Sequence, residues 1–225
     1  MTAAVRGLEG GKNAALLVVE VQNGIANPAY DASPLAAQVT ARGIVARINT
    51  LADVFRRAGA PVIFCTIAAA QADWSGFRVN CALAARIRRK GLLVAGADSA
   101  AIHDDLIVEP TDVVSTRTHG MAPFTGTELD ATLRGYGIDT VVLTGVSTNI
   151  ALPGAATEAI GLGYEVVLVE DCTAGATAET HEFQTTMHLP LLATMTTADA
   201  VAETLPRGAS AEASGSPRRG GSSRR

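Results

Sequence analysis

Residues 14–21 read AALLVVEV, a run of apolar and β-branched side chains interrupted only by Glu20. A run of this length and composition predicts a buried β-strand. Further apolar runs predict strands at 61–67, 112–115, 140–145, 164–169 and 193–196. Between the strands, apolar residues recur with the spacing of one helix face, which predicts helices at 36–58, 127–136, 154–162 and 178–188.

The alternation of buried strands and helices predicts the fold class. Strands that are apolar throughout are typical of a parallel sheet covered on both faces. Right-handed crossovers then give a doubly wound, Rossmann-like α/β fold with six mainly parallel strands and helices on both faces. Ligands in such folds bind at the carboxyl ends of the strands, so the side chains that follow the strands are the candidates for a functional site.

Length and composition indicate one domain, at residues 13–205 of a 225-residue chain that is 48% hydrophobic. Residues 1–12 are predicted to be a flexible lead. Residues 206–225 are mostly Gly, Ser, Arg and Pro, which predicts a disordered tail. No apolar run is long enough to span a membrane, and no secretory signal is evident, so we expect a cytoplasmic protein without a membrane partner.

Charge and cysteine content exclude further classes. The net charge is −4, and the tail carries five arginines against one glutamate, which leaves −8 on the rest of the chain. An acidic body argues against nucleic acid as a partner. The cysteines, Cys65, Cys81 and Cys172, form no CxxC motif, so we expect buried thiols rather than a disulfide framework.

Three segments form a pattern along the chain: LLVVEVQN at 16–23, FTGTEL at 124–129 and GVSTNIA at 145–151. In that order they resemble the isochorismatase-like cysteine hydrolases. The resemblance implies an aspartate after the first strand, a lysine after the third and a nucleophilic cysteine after the fourth. It also implies a small-molecule substrate, a homo-oligomer and a cis peptide bond between Val146 and Ser147.

Other residues occupy the positions of that catalytic set here. The first position reads Glu20, the lysine position falls on Thr118 beside Arg117, and the cysteine position reads Ala151. The resemblance therefore predicts a degenerate active site. Nicotinamidase-type relatives place an Asp-x-His cluster after the second strand, whereas residues 66–74 contain no histidine, so neither a metal nor a cofactor is predicted.

Two titratable residues are the candidates for catalysis beside the position of Ala151. Glu20 ends a buried strand, where a poorly solvated carboxyl group suits a general acid or base. Its alternative is a structural acid bonded to the neighbouring backbone or to Gln22. His119 is the histidine of the loop after the third strand, and it either transfers protons near neutral pH or is a polar loop residue. The residues expected to bind substrate are Gln22, Asn23, Arg117, Thr118, Phe124, Ser147, Asn149 and Ile150.

Three functions remain open at this point. The first is a hydrolase of a small molecule that uses Glu20 as its general acid or base and forms no covalent thiol intermediate. The second is a catalytically inactive pseudoenzyme that binds a small ligand or assembles with a partner. The third is a C–N (amide) hydrolase with a displaced nucleophile, for which Cys65 and Cys172 are the candidate thiols because both follow strands.

Overall fold

The computed structural model describes residues 5–205 and contains a six-stranded sheet in the order β3-β2-β1-β4-β5-β6. Within these residues every pairing between the six strands is parallel. The strands are β1 (Ala14–Val19), β2 (Val62–Ile67), β3 (Val113–Arg117), β4 (Thr140–Val146), β5 (Glu165–Ala174) and β6 (Thr194–Thr196). The predicted fold class is confirmed. The predicted disordered tail, 206–225, lies outside the described residues, as do residues 1–4.

Helices cover both faces of the sheet. Successive side chains of β1 point to opposite faces, so this strand contributes to a core on each side. Leu16 and Val18 belong to the core that the helix Ile44–Arg57 covers, and Leu17 and Val19 belong to the core under the helices Leu129–Gly135 and Ala151–Gly161. The α-helices within residues 5–205 are α1 (Asn23–Ala26), α2 (Pro34–Arg42), α3 (Ile44–Arg57), α4 (Ala82–Lys90), α5 (Leu129–Gly135), α6 (Ala151–Gly161), α7 (Ala178–Phe183) and α8 (Ala198–Thr204).

The single helix predicted at 36–58 is wrong, because the segment forms two helices, α2 and α3. Gly43 lies between them with φ 61°, a left-handed conformation that glycine adopts without steric cost. Ser33 starts α2 earlier than the pattern indicated, since its hydroxyl accepts a hydrogen bond from the Ala36 amide at 3.2 Å. The apolar spacing continues across the break, which is why periodicity alone did not reveal it.

The point where the strand order reverses lies between β1 and β4. The chain runs from β1 outward to β2 and β3 on one side, then returns to β4 on the other. The register pairs Val19 with Gly145 at the carboxyl edge of these two strands. A Cβ atom on Gly145 would lie 2.3 Å from the Val19 carbonyl oxygen, so only glycine permits this approach. A ligand site is expected at this edge.

Residues 5–12, predicted to be part of a flexible lead, instead pack against the domain. Val5 and Leu8 are buried in the core on the α3 side of the sheet. The Val5 amide donates to the Thr204 hydroxyl at 3.3 Å, and the Thr140 hydroxyl donates to the Gly7 carbonyl at 2.6 Å. The polar and glycine-rich composition of this segment hid the two apolar side chains that anchor it.

Large apolar side chains remain exposed near the end of the described chain. Phe183, Met187 and Leu191 are 58%, 63% and 81% exposed. Phe183 ends α7, Met187 lies in the π-helical turn Gln184–His188, and Leu191 ends the 3-10 turn Leu189–Leu191. The homo-oligomer stays a prediction, which light scattering at micromolar concentration would test.

No helix in residues 5–205 is long and apolar enough to cross a membrane.

Candidate active site

A cavity of about 230 Å³ opens at the carboxyl edge of β1 and β4. Its size suits a small molecule, since pockets for drug-sized ligands are typically larger. The walls come from α1, the loop before α2, one side of α4 and the turn after β4. The residues that line it are Glu20, Gly24, Ile25, Asp31, Ser33, Pro34, Leu35, Leu83, Arg86, Ile87, Lys90, Leu92, Ser147, Asn149, Ile150 and Ala176.

Glu20 is the acid that the sheet supplies to this cavity. It directly follows β1, and its φ of 54° is a left-handed conformation that is uncommon for a residue with a side chain. Its side chain is 13% exposed and forms an ion pair with Arg117. Within residues 5–205, the Arg117 guanidinium is the hydrogen-bond partner of Oε1, and Oε2 accepts no hydrogen bond.

Arg117 is the last residue of β3, and its side chain is 1% exposed. β2 separates β3 from β1 in the sheet, so the long side chain reaches past the end of β2 to Glu20. Burial lowers the pKa of the guanidinium to about 10, and the Glu158 carboxylate acts in the opposite direction. The group therefore still carries its charge at neutral pH, and a charged partner favours the ionised form of a carboxyl group.

The loop after β3 differs from the expectation in two places. The lysine position was expected at Thr118, but Thr118 is exposed and Arg117 is the residue that contacts Glu20. His119 does not line the cavity, and its ring lies against Gly126, where a Cβ would be 2.7 Å from Cε1. The catalytic role of His119 therefore stays a prediction, and its side chain is not part of the wall beside Glu20.

Gln22 and Asn23 use their amide groups to hold the loops around the cavity, and neither side chain lines it. The Gln22 amide donates to the carbonyls of Ile67 and Ala100 at 2.9 and 2.7 Å and accepts from the Ile67 amide. The Asn23 amide donates to the Asp104 carboxylate at 2.8 Å. Their hydrogen-bonding capacity is thus engaged within the fold.

The turn after β4 forms another wall of the cavity. The Val146–Ser147 peptide bond is cis, as expected. Ser147, Asn149 and Ile150 line the cavity, and the Asn149 side chain also accepts a hydrogen bond from the Ala176 amide at 3.0 Å. Ala151 begins α6 and is buried in the core with Phe124, so neither of these two residues lines the cavity.

A series of side-chain hydrogen bonds, which the sequence did not reveal, supports the turn after β4 through Thr148. The buried Thr148 hydroxyl lies 3.3 Å from His181 Nδ1, and His181 Nε2 lies 2.8 Å from the Glu170 carboxylate, which also pairs with Arg42. Burial lowers the pKa of His181, and this effect outweighs the hydrogen bond that Glu170 accepts, which acts in the opposite direction. The distances between these residues in the sequence are large, so no local pattern connected them.

The wall contributed by α4 was also missed. Leu83, Arg86, Ile87 and Lys90 recur at helical spacing and line the cavity together. This segment lies in the region between β2 and β3, for which the sequence predicted no element.

The thiols lie away from this cavity, since none of the three cysteines lines it. Cys65 and Cys172 are buried, and burial raises the pKa of the Cys65 thiol to about 12. Burial and the neighbouring Asp171 carboxylate raise the pKa of Cys172. Cys81 is exposed, and its sulfur caps the start of α4 by accepting from the Ala84 amide at 3.5 Å.

Comparison with known proteins places this arrangement in a family. Residues 14–200 match the isochorismatase domain. The chain belongs to the isochorismatase family. An uncharacterized isochorismatase family protein of Escherichia coli, YecD, is 31% identical over 172 residues, which are 76% of this chain and 84% of that protein. The crystal structure of an isochorismatase family protein from Desulfovibrio vulgaris superposes with a TM-score of 0.74 at 26% identity, covering 87% of this chain and 99% of that one.

Two similar proteins of the isochorismatase family fold have names that state an activity. Ureidoacrylate amidohydrolase from Methylobacterium radiotolerans is 29% identical over 175 residues, which are 70% of this chain and 66% of that protein. N-carbamoylsarcosine amidase from Thermoplasma acidophilum has a TM-score of 0.64 at 26% identity, covering 83% of this chain and 97% of that one.

In residues 5–205 of the present chain, no group of three or more His, Cys, Asp or Glu side chains is placed to hold a metal ion.

Proposed function

We propose that this isochorismatase family protein hydrolyses a small molecule with Glu20 as its general acid and base, without a covalent thiol intermediate. The observation that carries the proposal is the position of Glu20. Glu20 lines the cavity at the switch point of the sheet, and its carboxyl group is held by a buried arginine. A fixed, partly desolvated carboxyl group is suited to proton transfer.

The contact with Arg117 determines the order of proton transfers in this proposal. The arginine favours the carboxylate, so Glu20 begins as a base and takes a proton from a water molecule in the cavity. In a substrate with a C–N bond next to a carbonyl group, the water oxygen attacks the carbonyl carbon, and the protonated Glu20 then returns the proton to the leaving nitrogen as the C–N bond breaks. A vinyl ether requires the opposite order, since its methylene carbon takes a proton before water adds, and the contact with Arg117 disfavours a Glu20 that begins protonated. Arg117 keeps Oε1 in place, which leaves Oε2 for the exchange.

The composition of the turn supports a route without a nucleophilic side chain. Ala151 has no reactive atom at the position where the family resemblance implies a cysteine. Ser147 lines the cavity, but within residues 5–205 its hydroxyl has no hydrogen-bonded base to activate it. Ser147 and Asn149 are therefore proposed to hold the substrate, with Ile150 as an apolar contact.

Treating the folded protein with iodoacetamide is expected to modify Cys81 and leave hydrolysis unchanged. Cys81 is exposed but does not line the cavity, and burial disfavours the thiolates of Cys65 and Cys172. Mass spectrometry counts the adducts while the rate is followed in the same sample. Activity that falls in step with modification, with an unchanged circular dichroism spectrum, would instead favour the amide hydrolase with a displaced nucleophile.

A substrate panel separates this proposal from the pseudoenzyme. It contains a vinyl ether, isochorismate, and two compounds with C–N bonds, ureidoacrylate and N-carbamoylsarcosine. Turnover by the wild-type protein that is lost in Glu20→Gln supports the proposal. If neither protein turns over any compound of the panel while one of these compounds raises the melting temperature, the chain is a ligand-binding pseudoenzyme.

The cytoplasmic location stays a prediction.

A further inference from the structure

The charges in the cavity are unevenly balanced. Four charged side chains line it: Glu20, Asp31, Arg86 and Lys90. Glu20 is paired with Arg117, and Lys90 is paired with Asp31 at 2.6 and 2.7 Å. Arg86 forms no ion pair or hydrogen bond with any of residues 5–205. One uncompensated positive charge therefore lies on the cavity wall.

The placement of Arg86 on α4 explains how it reaches the cavity. Leu83, Arg86, Ile87 and Lys90 lie at i, i+3, i+4 and i+7, which is one side of a helix. Arg88 and Arg89 lie on other sides of α4 and do not line the cavity. The same wall thus presents two apolar side chains beside a free guanidinium.

We infer that Arg86 binds a carboxylate on the substrate, which is a compact, mainly apolar monoanion. This inference rests on the proposed function, because it assigns the same cavity to the substrate. The guanidinium fork matches the two oxygens of a carboxylate. The apolar body contacts the side chains of Ile25, Leu35, Leu83, Ile87, Leu92 and Ile150.

The balance of charges in the cavity favours a substrate with a single negative charge. Glu20 and Asp31 are each paired with a cation, so the charge left on the wall is that of Arg86. One carboxylate neutralises that charge. Arg117 does not serve the substrate in this assignment, since its guanidinium already holds Glu20 and is buried behind it.

Binding of benzoate and of acetophenone, its neutral analogue of similar shape, tests the inference by isothermal titration calorimetry. Neither compound can be hydrolysed. The wild-type protein is expected to bind benzoate more tightly than acetophenone, and Arg86→Gln to weaken benzoate about three- to tenfold with acetophenone unchanged. Arg89→Gln is the matched control, because it removes the same charge from the same helix outside the cavity, and it is expected to behave like the wild type.

Three results would overturn the inference. They are equal affinity of the wild type for both compounds, no binding of either compound, and an equal loss of benzoate affinity in Arg86→Gln and Arg89→Gln. The titration is repeated with Glu20→Gln, in which the preference for benzoate is expected to persist. If the wild type shows no preference for benzoate over acetophenone while its turnover depends on Glu20, the inference alone is rejected. If the wild type prefers benzoate while its turnover does not depend on Glu20, the proposed function alone is rejected.

Discussion

Replacing Glu20 with glutamine is expected to lower kcat/KM by about 10²–10⁴-fold, the usual contribution of a positioned general acid or base. Glutamine keeps the shape of the side chain and can still contact the cavity, but it cannot accept and return a proton. The effect is expected in kcat rather than KM, because the proton transfer takes place in the chemical step. Steady-state kinetics on the substrate found with the panel measure it.

Two further variants serve as controls for the Glu20→Gln result. Glu20→Asp retains the carboxyl group but withdraws it by one methylene, so we expect an intermediate loss of up to about a hundredfold. Glu109→Gln removes an exposed carboxyl group far from the lining of the cavity and is expected to have no effect. A Glu20→Gln variant that kept wild-type kcat would leave the proposed mechanism without its acid and base.

Replacing Gly145 with alanine is expected to destabilise the domain by about 2–5 kcal/mol, which combines about 1–3 kcal/mol for overpacking a core with about 1–2 kcal/mol for alanine at a positive φ. The new Cβ would lie 2.3 Å from the Val19 carbonyl oxygen and 2.8 Å from the Val19 nitrogen. Both are backbone atoms of a central strand and cannot move aside without disturbing the sheet. Urea denaturation followed by circular dichroism measures the loss in the free energy of unfolding.

Gly163→Ala is the matched control for this steric effect. Gly163 has a φ of 91°, close to the 96° of Gly145, but a Cβ there has no atom within 4 Å. The control therefore incurs only the cost of placing alanine in a left-handed conformation, about 1–2 kcal/mol. If both variants lost the same stability, contact between β1 and β4 would not be the reason that position 145 requires glycine.

Four strands, β1, β2, β4 and β5, could be predicted from the sequence because each contains an apolar run between turns, whereas β3 (VVSTR) and β6 (TMT) gave a weaker signal. Their bounds differ mainly where tertiary contacts extend a strand. β5 continues beyond the predicted end at Val169 to Ala174, since a register shift against β4 lets it pair again beside Gly145 and Val146. The break at Gly43 is a local left-handed turn that apolar periodicity does not register, and the packing of Val5 and Leu8 depends on contacts with distant segments.

The site was predictable where it depends on the ends of neighbouring strands. The rule that parallel strands end at one edge brought Glu20 together with the turn at Ser147 and Asn149. It did not determine which residue after β3 reaches Glu20, because that depends on the register of Arg117 against Ile67. It also did not reveal the wall from α4 or the link from Thr148 to His181, which join segments far apart in the chain.

α4 is held to the domain by few buried side chains, so the residues that select the substrate can change without changing the residues that transfer protons. Ala84 is the buried side chain of this helix, whereas Glu20 and Arg117 sit at the ends of sheet strands. Exposed positions usually tolerate substitution within about 0.5 kcal/mol of folding free energy. A lineage can therefore change the exposed residues at 83, 86 and 90 and acquire new substrates without rebuilding the core or the proton-transfer pair.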